Sequence, residues 1–589
     1  MTILRTPQRL KTLTASADVL DRAYMDLLGA RTIDEIVTEL PGLNVVGSAR
    51  YGQEVRLNER GVTNGFGTQR ALVLLDGRPL TDEYLGSVDL AQYPLDAISR
   101  VELVRGPASA LYGTNAMGGV LNLIPRRGSP VPVTEFVGQG GTFQTGSAAL
   151  SHGRMLGPVD LFLSLSGSTT NGYLENSRGD AVDWETQSVF SNTGYEGKKL
   201  GLRVYGGFFH GSGTDEDFNR DLNRNLEDVG LWVRGARPET ETRLRLYRSA
   251  LNQTLDWFAR PAADNAQSSL GAILTQTHRL LPDHLVTGGL EWRLEEATVD
   301  ELAGTVDRDA TTWAGFLQDG IEVSDAWDVV VGVRFDVQGE TEAFSYRAGA
   351  NYRPAPGTIL RASVGRAFRV PTISDRFLPT TPFFGVTFEG NPDLDPEALV
   401  SAEAGVSWEM IGGRVQAGVT GFATRARDFF DFLLQPDDVF RPENIARVSI
   451  HGIEAQVLAD LGSGFEAAGS YTYTNAYYDQ FVGNEGAEGN RLDDNVLHQG
   501  AISVAYRGQA GHAVRLIVTA CGDRFTDPEN TPAGRLSPFV VADIALSVPL
   551  GDKLVATMQV QNLTDTSYRT RIEFRQPGRT VTAGLRALF

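Results

Sequence analysis

The stretch TDEDFNRDLNRN places Asp215, Asp217, Asn219, Asp221, Asn223 and Asn225 at alternate positions. Oxygen-bearing side chains gathered in one loop are the donors that Ca²⁺ takes, six to eight at a time. The turn glycine and distal glutamate of an EF-hand loop are missing, so an acidic solvent-facing loop is the competing reading. One cysteine, Cys521, precludes an intrachain disulfide, and the seven histidines are scattered without zinc-ligand spacing. Two glutamates stand out by the company they keep. In SAEAGVSW, Glu403 shares an alternation face with Ser401, Gly405 and Ser407, opposite Ala402, Ala404, Val406 and Trp408; in GIEAQV, Glu454 shares a face with Gln456, opposite Ile453, Ala455 and Val457. Such carboxylates are too general a feature to make a catalytic pair, and no convergent set of catalytic residues accompanies them, so the sequence does not read as an enzyme. Aromatics collect in three turns: Phe66 in VTNGFGTQ, Tyr84 in TDEYLGS, and Phe383, Phe384 and Phe388 in TTPFFGVTFEG. Brought together at a vestibule they would suit a flat or aromatic ligand; taken singly, each reads equally well as loop packing.

The elements that would carry these residues are mostly strands. From about residue 135 onward, apolar and polar residues alternate with period two. Val159, Leu161, Leu163 and Leu165 alternate with Asp160, Ser164 and Ser166, with Phe162 as the exception. Leu200, Leu202, Val204 and Phe208 oppose Arg203 and Tyr205; Leu360, Ala362 and Val364 oppose Arg361 and Ser363; Val581, Ala583, Leu585, Ala587 and Phe589 oppose Thr580, Thr582 and Arg586. A soluble β-sandwich also alternates. Here the polar face carries Arg, Glu, Gln and Tyr in strand centres, and many segments approach the roughly ten residues that cross a bilayer at a tilt. Trp232, Trp292, Trp313, Trp408, Tyr471 and Tyr473 lie near the predicted strand ends, where an interfacial girdle would sit. Among 589 residues no run of about eighteen apolar residues marks a membrane helix. The expectation is a closed transmembrane β-barrel of roughly twenty strands, wide enough to leave a large hole. A formal net charge of -20 excludes a nucleic-acid partner.

Residues from about 15 to 128 follow another pattern and read as a small α/β unit of a size to fill that hole. TIDEIVTEL begins at Thr32, sets Ile33, Ile36, Val37 and Leu40 at helical spacing, and stops at Pro41-Gly42. Ala71–Leu75 is a fully apolar strand ended by an Asp76-Gly77 turn. VELV is a further strand, Pro107 opens a helical turn in ASALYG, and Gly118-Gly119 lets the next strand pass close to a neighbour.

These residues carry a resemblance. LPGLNV, NERGVTNG, ALVLLDGRPL and VELVRGPASALYGTNAMGGVLNLIPRRG are similar to the plug domain of TonB-dependent outer-membrane receptors. GRAFRVPTISDRF, GNPDLDPEALVSAEAGVSW, SIHGIEA, NLTDTSY and PGRTVTAGLRALF resemble the barrel motifs of the same family, in the same order along nearly the whole chain. The resemblance implies a 22-stranded barrel over 129–589 with an α/β plug over 15–128 inside it. It implies energy-coupled import of a scarce nutrient across the bacterial outer membrane, a ferric siderophore first and cobalamin, haem or another metal chelate as the alternative. It also implies TonB with ExbB and ExbD as periplasmic partners, the barrel-assembly machinery reading Phe589, outer-membrane lipid around a monomer, and no required cofactor; calcium in an outer loop rests on the aspartate spacing alone. The family pattern pairs Arg60 and Arg105 with Glu403 and Glu454 as a lock between plug and barrel. A TonB box and an export signal belong ahead of ADVLDRAYMDLLGARTIDEIV; residues 1–14 match neither, and both are expected upstream of Met1. A passive porin would lack the plug motifs, and a surface-binding protein would carry an extracellular domain or lipid anchor.

Overall fold

The computed structural model describes residues 14–46, 56–62, 69–80, 82, 84–173, 182–214, 220–257, 263–301, 303–383, 386–572 and 575–589. Alternation decides the larger part. Each long strand from Val133–Gly141 onward pairs antiparallel with the next, and Thr580–Leu588 returns to pair with Val133–Gly141, Leu585 opposite Gly138. The result is a closed barrel of 22 strands. Closure leaves no strand edge with unpaired backbone groups, which hydrocarbon could not satisfy. Leu163 is 40% exposed on the outer surface while Ser164, one residue on, is 1% exposed in the lumen. Leu202, Val204, Leu360 and Leu585 face outward in the same way, and Arg203 and Tyr205 inward. Phe162 breaks the alternation for a reason visible only in three dimensions: its ring lies inside, 4.9 Å beneath the Arg126 guanidinium.

The two ends of the barrel differ. One end has tight turns such as 157–158, 282–283 and 356–357, and the other has the long connection between Thr358–Arg369 and Glu397–Met410. Outer-membrane barrels put short turns in the periplasm and long loops outside. Trp313 and Tyr471 are exposed on the outer surface, and Trp292 packs beside Trp313 at 6.3 Å. Trp232 departs from the expected girdle. It shares the lumenal face with Arg224 and Asp228, packs edge-on against Tyr205 at 5.8 Å, and carries the Arg245 guanidinium at 5.0 Å.

Inside stands a five-stranded sheet in the order Ala17–Asp21, Ile98–Arg105, Gly119–Pro125, Ala71–Leu75, Arg78–Leu80. Asp76 and Gly77 both have positive φ, 46° and 83°, which makes the two-residue hairpin turn that an Asp-Gly pair favours. Gly119 has no substitute, because a Cβ there would lie 2.6 Å from the Val104 carbonyl oxygen. The helix at TIDEIVTEL covers only Ile33–Val37; Thr32 has the extended backbone of an N-cap but makes no side-chain cap bond. Ile33, Ile36, Val37 and Leu40 are nonetheless buried in the plug core. That core does not end at the plug surface: Phe162, Phe190, Tyr205, Phe209, Leu226 and Leu251 of the barrel wall belong to the same apolar cluster.

Candidate functional site: the plug–barrel interface

Arg60 sits at the tip of a tight turn. Its φ is 51° and that of Gly61 is 72°, and the Val62 amide donates back to the Glu59 carbonyl at 2.9 Å. A left-handed arginine is costly, by roughly 1 kcal/mol or more. Barrel packing dictates which residue follows it, since a Cβ on Gly61 would meet Thr474 Cγ2 at 2.9 Å. The turn thus drives the Arg60 guanidinium into the wall. There Nη1 donates to Glu403 Oε2 at 2.6 Å, while Nε and Nη2 donate to Glu454 Oε1 and Oε2 at 2.9 and 2.7 Å. Phe422 lies under the guanidinium at 4.7 Å. Glu403 also accepts from the Ser16 backbone amide at 3.2 Å and the Ser363 hydroxyl at 3.3 Å. The alternation that aims both glutamates inward is the one visible in the sequence.

Arg105 pairs with one of the two glutamates that the family pattern assigns to it, Glu454, and adds partners of its own within the plug. It binds Asp18 and the Pro41 carbonyl, both within the plug, and lies 3.2 Å from Glu59, whereas its distance to Glu454 is 3.7 Å. Arg60 alone holds both barrel carboxylates at hydrogen-bond distance. Glu59 is fully buried, and burial pushes its carboxyl up to about 8. Arg105 and Arg60 oppose that rise and Glu454 and Asp18 add to it. Loss of water around the carboxylate is the largest cause, and the neighbouring charges of both signs only partly offset it.

Further cross-links were missed from sequence. Arg70 grips Glu397 with two bonds at 2.5 and 2.9 Å, and Arg369 of the wall joins Glu397 at 3.2 Å. Arg78 binds Asp228; Asp89 receives Arg224 at 2.8 Å; Asp26 receives Arg586 at 2.6 Å; Glu39 receives Arg515 at 3.2 Å. Parity could have found the wall members, since Arg224, Asp228 and Glu397 lie on the polar face of their strands. Their plug partners carry no such signal.

Of the aromatic candidates, Tyr84 and Phe388 fall in separate clusters. Tyr84 is 4% exposed and packs with Ala297, Val299, Val306 and Ile373, its hydroxyl donating to Glu301 at 2.8 Å and its amide to Gln267 at 3.0 Å. It pins the plug to the wall and offers no face to a ligand. Phe388 is in an outer aromatic cluster, 5.4 Å from both Phe432 and Phe440, the latter stacked; neither partner was foreseen. Phe383 ends the short strand Thr381–Phe383, while Phe66 and Phe384 lie outside the described residues. Asp215, Asp217 and Asn219 also lie outside them. Asp221, Asn223 and Asn225 are not in a loop but in the strand Arg220–Arg237. Asn225 is bonded to His210 at 2.8 Å. Among the described residues no group of three or more His, Cys, Asp or Glu could hold a metal ion.

A closed transmembrane barrel with a folded plug cross-linked into its lumen is a gated outer-membrane transporter, as distinct from an open pore. A family model for the TonB-dependent receptor plug domain matches residues 9–120, and one for the TonB-dependent receptor-like β-barrel matches residues 135–563. The protein belongs to the TonB-dependent receptors of the outer membrane, a family of transporters and receptors. It is 25% identical to the vitamin B12 transporter BtuB of Photobacterium profundum, over 96% of this chain and 91% of that one. It is 23% identical to an iron-regulated outer membrane virulence protein of Vibrio cholerae, over 78% and 75%. Among solved structures, the ferric yersiniabactin uptake receptor FyuA of Yersinia pestis superposes with a TM-score of 0.81 at 16% identity, covering 98% of each chain.

Proposed function

We propose that the protein imports a ferric siderophore across the outer membrane, driven by TonB from the periplasm, with Arg60, Glu403 and Glu454 as the lock that holds the plug until it is pulled. The observation that carries this reading is the plug itself: a filled lumen excludes passive flux, so cargo can pass only if something moves the plug. The lock is buried, with the Arg60 side chain 5% exposed, and breaking a buried charge pair by deleting one partner costs roughly 3 to 5 kcal/mol. A catch of that strength holds against thermal motion and yields to applied work. A siderophore is favoured as cargo by the aromatic cluster at Phe388, Phe432 and Phe440, which offers rings to a catecholate or similar aromatic chelate. Cobalamin is the second reading, favoured by the full-length likeness to BtuB. In a strain lacking its own receptors, uptake of ⁵⁵Fe-enterobactin that is abolished by loss of TonB supports the first reading. Uptake of ⁵⁷Co-cyanocobalamin alone would replace it with the second, and TonB-independent uptake of either would remove the energised mechanism.

A further inference from the structure

The plug does not fill the lumen evenly. Between it and the consecutive wall strands from Thr341–Ala355 to Ala513–Cys521 lies a cavity of about 980 Å³, whereas the gap against the wall around Thr186 is about 130 Å³. The larger volume is at the upper end of what encloses a compact organic ligand, roughly 300 to 1,000 Å³. It reaches the short-turn rim at Pro354–Gly357 and Arg507. Its other end is the charged cluster. Asp18 and Pro41, which hold Arg105, line it, and Gln456 lies two residues below Glu454 and Ser407 four below Glu403 on the same strands. At about 3.3 Å per residue the lock is therefore within roughly 7 to 13 Å of the cavity.

We propose that cargo leaves through this cavity, so that the lock is the roof of a preformed exit path and only the plug segments around Asp18 and Arg60 need to move. The inference rests on the import reading above. Small and polar residues such as Ser470, Ala468, Ala501 and Gln456 line this wall beside the larger Arg361, Trp408 and Arg515. On this side only Val62 and Met117 of the plug, among the described residues, enter the apolar cluster of the wall, whereas the opposite wall shares a far larger apolar core with the plug that would have to be desolvated and reopened at each cycle. Arg361 completes the device. It lies over Gly405, where a Cβ would come within 3.3 Å of its Nε, and it lines the cavity within electrostatic reach of Glu403. When Arg60 withdraws, Glu403 has a second cation beside it and is not stranded.

The test places one cysteine on each wall in a Cys521→Ser background: Ser470→Cys in the cavity and Thr186→Cys in the narrow gap. Cells are treated with a fluorescein maleimide small enough to enter the periplasm, then assayed for surface binding and uptake of ⁵⁵Fe-enterobactin and ⁵⁷Co-cyanocobalamin. The expected result is labelling at Ser470→Cys, with uptake of the imported probe reduced more than tenfold and surface binding within twofold. Label on Thr186→Cys should leave uptake within twofold. Failure of Ser470→Cys to label, equal effects at both positions, or a block confined to Thr186→Cys would overturn the path while leaving the import reading intact. If the unlabelled background imports neither probe, the import reading itself fails and the path fails with it.

Discussion

The two sides of the plug are held by different physics. Toward the strands from Val159–Thr170 to Thr240–Trp257, Leu80, Val88, Leu90, Tyr93 and Leu95 merge with Phe162, Phe190, Tyr205, Phe209, Leu226 and Leu251 into one apolar core. Toward the strands carrying Glu403 and Glu454 only Val62 and Met117 of the plug, among the described residues, enter the wall's apolar cluster, and the contact is dominated by a dry cluster of charges with the large cavity beneath it. Apolar contact is non-directional, and its loss grows with the area exposed. A buried ion pair is directional: it holds fully until the partners part, after which water or another ion can replace it. The difference teaches where the plug can open. Force applied near its N-terminal strand, Ala17–Asp21, reaches Asp18 and Ser16, both in the charged cluster, before it reaches the apolar face.

The sharpest way to break this comparison is to remove the central cation. Arg60→Ala removes the paired bonds to Glu454 and leaves Glu403 to Arg361, and should destabilise plug seating by up to roughly 3 to 5 kcal/mol, read as accelerated amide exchange in Ile98–Arg105. Adding Glu403→Gln and Glu454→Gln should recover part of the loss, because the charges that Arg60 held go with it. No recovery would mean that packing, not charge, holds that side. On the apolar side, Leu251→Ala should cost toward the lower end of roughly 2 to 5 kcal/mol, since the leucine lies at the edge of the cluster, 7% exposed. Its effect on amide exchange should not change with salt or pH. A salt-dependent loss there would erase the distinction between the two faces.

Glu59 sharpens the comparison through pH. Burial raises its carboxyl to about 8, so the folded protein binds a proton that the unfolded chain, titrating near the ordinary carboxylate range of about 4.3, has already released. Between those values the native state holds more protons than the unfolded one, and Glu59 therefore lowers stability progressively as pH rises from about 4.3 to about 8. Glu59→Gln should remove this component. The melting temperature of the variant relative to the parent should climb across that window and level off above it. A difference that is flat with pH would show that Glu59 is charged in the fold and compensated by Arg105.

How much of this was legible in the sequence follows from where the information resides. Period-two alternation is local, and it set inside and outside correctly at Leu163, Ser164, Glu403 and Glu454. Trp232 and Phe162 escaped it because a lumen filled by a plug has its own apolar surface, and inward aromatics serve that surface. The plug partners of Arg105 escaped it too: Asp18 and Glu59 are brought to it by plug strands far apart in sequence, and only the folded charge balance decides who binds whom. Asp221, Asn223 and Asn225 looked like part of a loop because the polar residues around them hide the alternation of the strand Arg220–Arg237.

Tyr84 gives the smallest expected effect and the most direct check on what the outer surface is for. An aromatic in a turn facing the barrel mouth reads from sequence as a ligand contact, but this one is a peg into the wall of Ala297, Val299 and Val306 with its hydroxyl on Glu301. Tyr84→Phe keeps the ring and its packing and removes one hydrogen bond, a loss of about 1 kcal/mol. Because burial alone would raise a phenol that already lies beside a carboxylate, the hydroxyl stays neutral and a donor throughout the accessible pH range. The variant should therefore bind cargo with unchanged affinity and show faster amide exchange only in the turn around Leu85 and Gly86. A several-fold loss of affinity without that local exchange would return Tyr84 to the ligand surface and shift the binding site toward the plug apex, away from the cluster around Phe388.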